Sequence, residues 1–201
     1  MIVTKYNDSD HLSTLEDIDD AARANESFSW RIPTENEFRA LIAATNITFT
    51  ENYNDEGICG IICVDKTDSS KELFFRAIYG IHEGNTDFSL GGYWSSTLDT
   101  SLKIMAKVLS ITFTSPHVSI DYEHREYGLP IRAVLDEPKV SKVTYTGNYE
   151  DLNNKPDIYT KNETDTKILS SMDPKYIEIG GIKWATKNLG AINITDYGLY
   201  F

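Results

Sequence analysis

Phe38, Leu41 and Ile42 recur at three- and four-residue spacing, while Glu35, Asn36 and Arg39 among them are polar. That period predicts an amphipathic helix from Glu35 to about Ala44. Local chemistry also sets where it starts. Thr34 can cap the helix, Glu37 can return a hydrogen bond to the Thr34 amide, and Pro33 keeps the helix from starting earlier. Upstream, Ser13 with Glu16 offers a second capping box, and Leu15, Ile18, Ala21 and Ala22 form an apolar stripe, which predicts a short helix to Ala24. Beyond the second helix the period falls to two. Asn46 to Thr50 alternates strictly, as a half-buried strand does. Gly57 to Val64 and Glu72 to Tyr79 are apolar runs flanking the polar turn Asp65 to Lys71, a hairpin pattern. Gly80 to Asn85 reads as a loop. Gly91 and Gly92 precede Tyr93 and Trp94, two flexible residues before two large aromatics, which predicts a close backbone approach. Ala106 to Phe113, Val118 to Tyr122 and Leu129 to Leu135 complete the strands. Two helices followed by short antiparallel strands make an α+β pattern.

At Glu137-Pro138 the pattern breaks. Residues 139–175 are polar, hold Pro156 and Pro174, and have few large aliphatics, so they cannot bury a core of their own. Thr160 with Glu163 offers a third capping box ahead of a short helix to about Ser171, whose only apolar residues are Ile168, Leu169 and Met172. A helix so short and polar is marginal alone and needs a partner. Residues 176–201 turn apolar and aromatic again, with Trp184, Tyr197, Tyr200 and Phe201.

Composition narrows the classes. The 201 residues suffice for one core, or for one domain plus an attached segment. At 40% hydrophobic, 25% charged and 11% aromatic, the chain is globular rather than wholly disordered. Its formal charge of -12 argues against nucleic-acid backbone and anionic membrane as partners, because both repel an acidic surface. No stretch approaches the roughly 20 apolar residues of a membrane span. Met1 to Tyr6 holds no apolar run of signal-peptide type, so no export signal is expected. Cys59 and Cys63 lie four apart. On a strand that puts them on one face roughly 13 Å apart, too far for a disulfide, and both are expected to be small buried hydrophobes. Asp8, Asp10, Asp17, Asp19 and Asp20 have the chemistry to hold calcium but lack the ordered spacing and glycine of an EF-hand loop. A solvated acidic surface is the expectation, with no metal and no cofactor. His11, His82, His117 and His124 form no catalytic constellation. His124 lies near Asp121, Glu123 and Arg125, yet no serine or cysteine elbow accompanies it, so no catalytic residue is assigned.

Four pieces resemble one family: Asp19-Asp20-Ala21-Ala22-Arg23-Ala24-Asn25; Trp30-Arg31-Ile32-Pro33-Thr34 with Glu37-Phe38; Gly92-Tyr93-Trp94-Ser95-Ser96; and Gly128-Leu129-Pro130-Ile131-Arg132-Ala133-Val134. Order, spacing and wording are similar to the FISUMP, or major paralogous, domains of Bacteroidetes over roughly residues 5 to 136. These are relatives of the formylglycine-generating-enzyme group with a C-type-lectin-like fold. The resemblance implies that fold, with Trp30, Thr34, Glu37, Trp94, Arg132 and Trp184 as structural anchors. The enzymes of that group need a pair of reactive cysteines late in the domain. This chain has none after Cys63, so the activity does not carry over. Such domains open with a segment like Ile179-Gly180-Gly181-Ile182-Lys183-Trp184-Ala185-Thr186-Lys187-Asn188-Leu189-Gly190-Ala191, ending in a turn like Asp196-Tyr197-Gly198. Here that opening stands at the C-terminus. The resulting division is 1–138, a lectin-like domain lacking its opening; 139–175, a linker and short helix; and 176–201, the opening segment, permuted, swapped between subunits or truncated.

Tyr145 to Ile158, followed by Tyr159-Thr160-Lys161-Asn162-Glu163-Thr164-Asp165, resembles a segment recurrent in phage tail-fibre proteins, typically followed by a short helix in a trimeric stalk. That implies a homotrimer in which three copies bury Tyr159, Ile168 and Met172, with exchange of residues 176–201 as a further expectation. The expected function is a non-enzymatic tail-fibre or surface adhesin module that recognises a host glycan or protein, placed on a virion tail or a bacterial surface. A structural assembly protein with no ligand of its own is the alternative. Recognition residues collect on loops of a rigid scaffold, and those between Trp94 and Gly128 are Asp99, Ser101, Lys103, Ser115, His117, Tyr122, His124, Arg125 and Tyr127. Tyrosine with arginine, histidine and small polar residues suits gripping sugars or protein loops.

Overall fold

The structure, a computed structural model, describes residues 5–7, 9–26, 29–77, 79–82, 85–112, 116–136 and 176–201. Residues 1–136 and 176–201 form one compact unit, interrupted in sequence by residues 137–175. The expected third capping box and stalk helix, with Tyr159, Ile168 and Met172, lie outside the described residues.

The elements run α1 (Ala21–Asn25), β1 (Trp30–Arg31), α2 (Glu35–Ala44), β2 (Thr45–Tyr53), β3 (Ile58–Asp65), β4 (Glu72–Arg76), β5 (Tyr79–His82), β6 (Asn85–Leu98), β7 (Met105–Thr112), β8 (His117–His124), β9 (Val134–Leu135), β10 (Tyr176–Ile179) and β11 (Ile182–Ala185). The architecture is α+β and dominated by antiparallel strands in three sheets, ordered β1-β9-β11-β10, β2-β3-β4 and β5-β6-β7-β8.

The Thr34 corner forms as the sequence predicts. The Thr34 hydroxyl accepts from the Glu37 amide, and Glu37 Oε2 accepts from the Thr34 amide at 2.7 Å. Arg31 grips the same carboxylate with both terminal nitrogens, at 2.7 and 2.6 Å, and so ties β1 to the start of α2. Burial pushes the Glu37 carboxyl up, but Arg31 and the Thr34 amide outweigh it and hold the group below the ordinary glutamate range. The folded carboxyl therefore holds its proton less tightly than the unfolded one. Its contribution is fully present above the ordinary glutamate range and is lost as pH falls through the depressed folded value. Glu37→Gln is expected to cost about 1–2 kcal/mol at neutral pH and to flatten the acid limb of a stability-against-pH curve. An unchanged acid limb would show that Glu37 is not part of that sensitivity.

The hairpin between β3 and β4 also forms where the polar run predicts it. Asp65 Oδ1 accepts from the Thr67 amide at 2.7 Å and from the Asp68 amide at 3.2 Å, so the side chain closes the turn. In the third sheet, residues 92–98 of β6 and the facing part of β7 are covered on both faces, because alternate residues point opposite ways. Trp94, Ala106 and Val108 join Tyr6, Ala22, Trp30, Ile32 and Ile131 in one core. Tyr93, Leu109 and Ile111 join Phe38, Leu41, Phe75, Val134 and Trp184 in the other.

The C-terminal segment belongs to both cores. β11 pairs with β9 at Trp184 and Val134, the Ala185 amide donates to Ala133 O at 2.9 Å, and the Leu189 amide donates to Ile131 O at 2.9 Å. Leu129 and Phe201 exchange two hydrogen bonds of 3.1 Å. Trp94 Nε1 donates to Phe201 O at 2.7 Å. Arg132, fully buried, donates to Ala185 O at 3.2 Å and to Phe74 O at 2.8 Å, joining β4 to β11.

Several expectations are corrected. The Ser13–Glu16 capping box does not form. Ser13 O accepts from the Leu98 amide, Thr14 bridges Thr97 and the Leu15 amide donates to Ser96 O, so this stretch runs extended along β6. Helix α1 starts only at Ala21, where the buried Asp20 carboxylate accepts from the Ala22, Arg23 and Ile32 amides. The stretch expected as a loop over Gly80 to Asn85 carries the end of β5 and the start of β6. Of Leu129 to Leu135 only Val134–Leu135 is strand, although residues 129–134 are buried. Cys63 is buried, and burial pushes its thiol up to about 12, whereas Cys59 is half-buried. The expected close approach at Gly92 is present: a Cβ there would stand 3.4 Å from Leu129 Cδ1.

Candidate recognition surface

Three segments that the sequence singles out converge at one end of the β5-β6-β7-β8 sheet. They are the β6–β7 connection, the end of β8 and the turn that follows it. Asp99 organises the first. Its Oδ1 accepts from the Ser101 amide at 2.8 Å and the Leu102 amide at 2.7 Å, and its Oδ2 lies 3.3 Å from Lys107 Nζ. The Leu102 amide, then the Ser101 amide and Lys107, hold the carboxyl below the ordinary aspartate range. Asp99 thus shapes the loop and is already committed within the protein. Arg125 fastens the loop to the turn: its amide donates to Ile104 O at 3.0 Å and its Nη1 donates to Lys103 O at 3.0 Å.

Register explains the aromatic part. Lys107 pairs with Tyr122 and Met105 with His124 across β7 and β8. These positions share the face that carries Leu109, Ile111, Val118 and Ile120 into the core, and continue it beyond the end of that packing. Lys107 Nζ lies 5.1 Å from the Tyr122 ring centroid, and the His124 ring lies 5.8 Å from the Tyr127 ring. Leu102, Ile104 and Tyr122 are exposed at 51%, 38% and 46%.

Not every candidate joins them. Ser101 is exposed in the same loop. His117 is exposed and pairs with Thr112 at the opposite end of β8, about 24 Å from His124 at strand spacing. Ser115 lies outside the described residues. Tyr127 is half-buried against the first core and is partly structural.

Sequence reasoning missed Lys107, Leu102 and Ile104, and it missed Tyr6. Tyr6 is buried. Its hydroxyl donates to Asp19 and accepts from the Glu16 amide at 2.9 Å, and the Arg125 guanidinium stands 5.5 Å from its ring. Arg125 also borders a cleft of about 280 Å³ with Asp19 on its rim and Leu15, Ile32, Trp94 and Phe201 on its walls. Of the acidic residues considered for calcium, Asp8 lies outside the described residues, Asp17 pairs with Arg23, and the others are dispersed to local tasks. Asp10 accepts from the Tyr6, Asn7 and Leu12 amides, Asp19 meets Lys5 and Tyr6, and Asp20 caps α1. Among the described residues no group of three His, Cys, Asp or Glu is placed to hold a metal ion.

The six anchors take these places. Trp30, Trp94, Arg132 and Trp184 are buried, and Thr34 and Glu37 form the capping box. Comparison with family models, with curated proteins and with solved structures returned no match. Among the described residues no helix is long and apolar enough to cross a membrane.

Proposed function

We propose that this chain is a non-enzymatic recognition module with a lectin-like fold, carried on a phage tail fibre or a bacterial surface stalk, and that it binds a host-surface glycan or protein. The observation that carries the reading is the corner where Leu102, Ile104 and Tyr122 stand exposed beside Lys103, Lys107, His124 and Arg125. Aromatic and aliphatic faces flanked by hydrogen-bond donors suit sugar rings and protein loops alike. The loop is held by Asp99 and Arg125, so binding does not first have to order it. The resemblance of residues 145–165 to a tail-fibre segment supports a homotrimer, in which several such corners on one particle would multiply weak contacts.

The test is adhesion of the labelled full chain to intact Bacteroidetes cells and to their immobilised surface polysaccharides. Replacing Tyr122 and Lys103 together with alanine is expected to weaken adhesion at least ~10-fold, the loss of roughly 1.4 kcal/mol, while leaving the unfolding midpoint unchanged. Wild-type adhesion by that variant would remove the corner from the reading, and no adhesion by the parent chain would remove the recognition function. The assembly alternative has its own support in the exposed Ile192, Ile194, Tyr197, Leu199 and Phe201.

A further inference from the structure

We propose that residues 176–201 are an exchangeable completing segment, given by one copy of this chain to the fold of another. The partner is a second copy, and the acceptor is the gap beside β9. Four features lead there. First, the folded unit is discontinuous: the chain leaves it at Asp136 and re-enters at Tyr176. The roughly 40 residues between span up to ~130 Å when fully extended. Second, the segment supplies core rather than decoration. Ile179 and Trp184 are fully buried, and Arg132 donates to its Ala185 carbonyl. Third, β11 enters between β9 and β10, so without it β9 would present an open edge, which pairs readily with any matching strand. Fourth, Ile192, Ile194, Tyr197, Leu199 and Phe201 leave apolar surface exposed on the segment itself, where an adjoining copy would cover it.

Every contact the segment makes is the same whichever copy donates it, so the two arrangements differ only in closure entropy and in concentration. A segment on its own tether is present at an effective concentration on the order of a millimolar. Copies held side by side in a three-chain stalk offer each acceptor a similar concentration of neighbouring donors, and the neighbours outnumber the chain's own segment two to one. In this respect the inference rests on the trimeric reading above.

The experiment uses the full chain with Cys59→Ser and Cys63→Ala, carrying Gly128→Cys and Tyr200→Cys. A Cβ at position 128 stands 3.4 Å from Tyr200 Cβ, close to the ~3.5–4.5 Å that a disulfide spans. Native mass by light scattering is read first, then mass under denaturing, non-reducing conditions after oxidation. Covalent two- and three-chain species are the expected result. A native trimer that yields only internally bridged single chains overturns the exchange and leaves the fibre reading standing, whereas a native monomer with the same bridges overturns both.

A second measurement covers failure of the bridged variant to fold. Full chains carrying Trp184→Ala, which spoils the donor, are refolded together with full chains carrying Val134→Asp, which spoils the acceptor. Exchange is expected to restore a cooperative unfolding transition at a midpoint that neither chain reaches alone. Absence of that transition overturns the proposal.

Discussion

Trp184→Ala is expected to remove about 3–5 kcal/mol of stability, read as a fall in the urea midpoint at unchanged slope, or as outright loss of the cooperative transition. Trp184 is fully buried, lies 5.5 Å from the Phe38 ring and pairs in register with Val134 and Ile177. It joins the C-terminal segment to α2 and β9 at one point. A domain of this size holds roughly 5–15 kcal/mol in all, so this single truncation takes a large share. Trp184→Phe is the informative contrast. The indole Nε1 is buried with no hydrogen-bond partner among the described residues. Phenylalanine keeps a ring against Phe38 and removes that unpaired donor, so its loss is expected to be less than half that of alanine. Equal losses would mean that the indole nitrogen does have a partner or that the six-membered ring is not what packs on Phe38. A stable Trp184→Ala protein would show that residues 176–201 are an appendage and not part of the core.

Arg132 is the second large expected effect. It is fully buried, donates to the Ala185 and Phe74 carbonyls, and holds its guanidinium 4.9 Å from the Phe75 ring. Burial pulls its pKa down from the usual arginine range, opposed by the neighbouring Tyr93. A charge so placed is expensive, and its worth lies in satisfying two carbonyls on separate strands. Arg132→Ala orphans both carbonyls and leaves a cavity, an expected loss of about 4 kcal/mol or more. Arg132→Met also orphans them but fills the volume and removes the buried charge, so about 2 kcal/mol is expected. Urea denaturation of both variants checks the order. A methionine variant as damaged as the alanine one would mean that the charge itself, through Tyr93 or the Phe75 ring, contributes more than the filled volume.

Much of the fold was legible because it is local. The Thr34–Glu37 box, the amphipathic stripe of Phe38 and Leu41, and the Asp65 turn each involve groups only a few residues apart, and each forms as read. The Ser13–Glu16 box had the same local signature and did not form, because pairing with the end of β6 gave its backbone partners more than 80 residues away. A cap worth about 1 kcal/mol yields to that set of distant bonds. At the candidate corner, Lys103, Tyr122, His124, Arg125 and Tyr127 could be named from composition. Lys107 could not, because its place opposite Tyr122 depends on a strand register that the sequence does not display. Asp99 was named for its chemistry but is occupied by the loop's own amides and by Lys107.

Periodicity, capping and turn chemistry act over a few residues, so the α+β class, the start of α2 and the positions of β2, β3, β4, β7 and β8 could be read from the residues alone. Long-range packing settled that residues 92–98 of β6 and the facing part of β7 are buried on both faces, that Arg125 fastens Lys103 and meets Tyr6 across 119 residues, and that residues 176–201 lie beside β9. Those choices depend on which distant surfaces, brought together, leave the fewest polar groups unpaired and the most apolar area out of water.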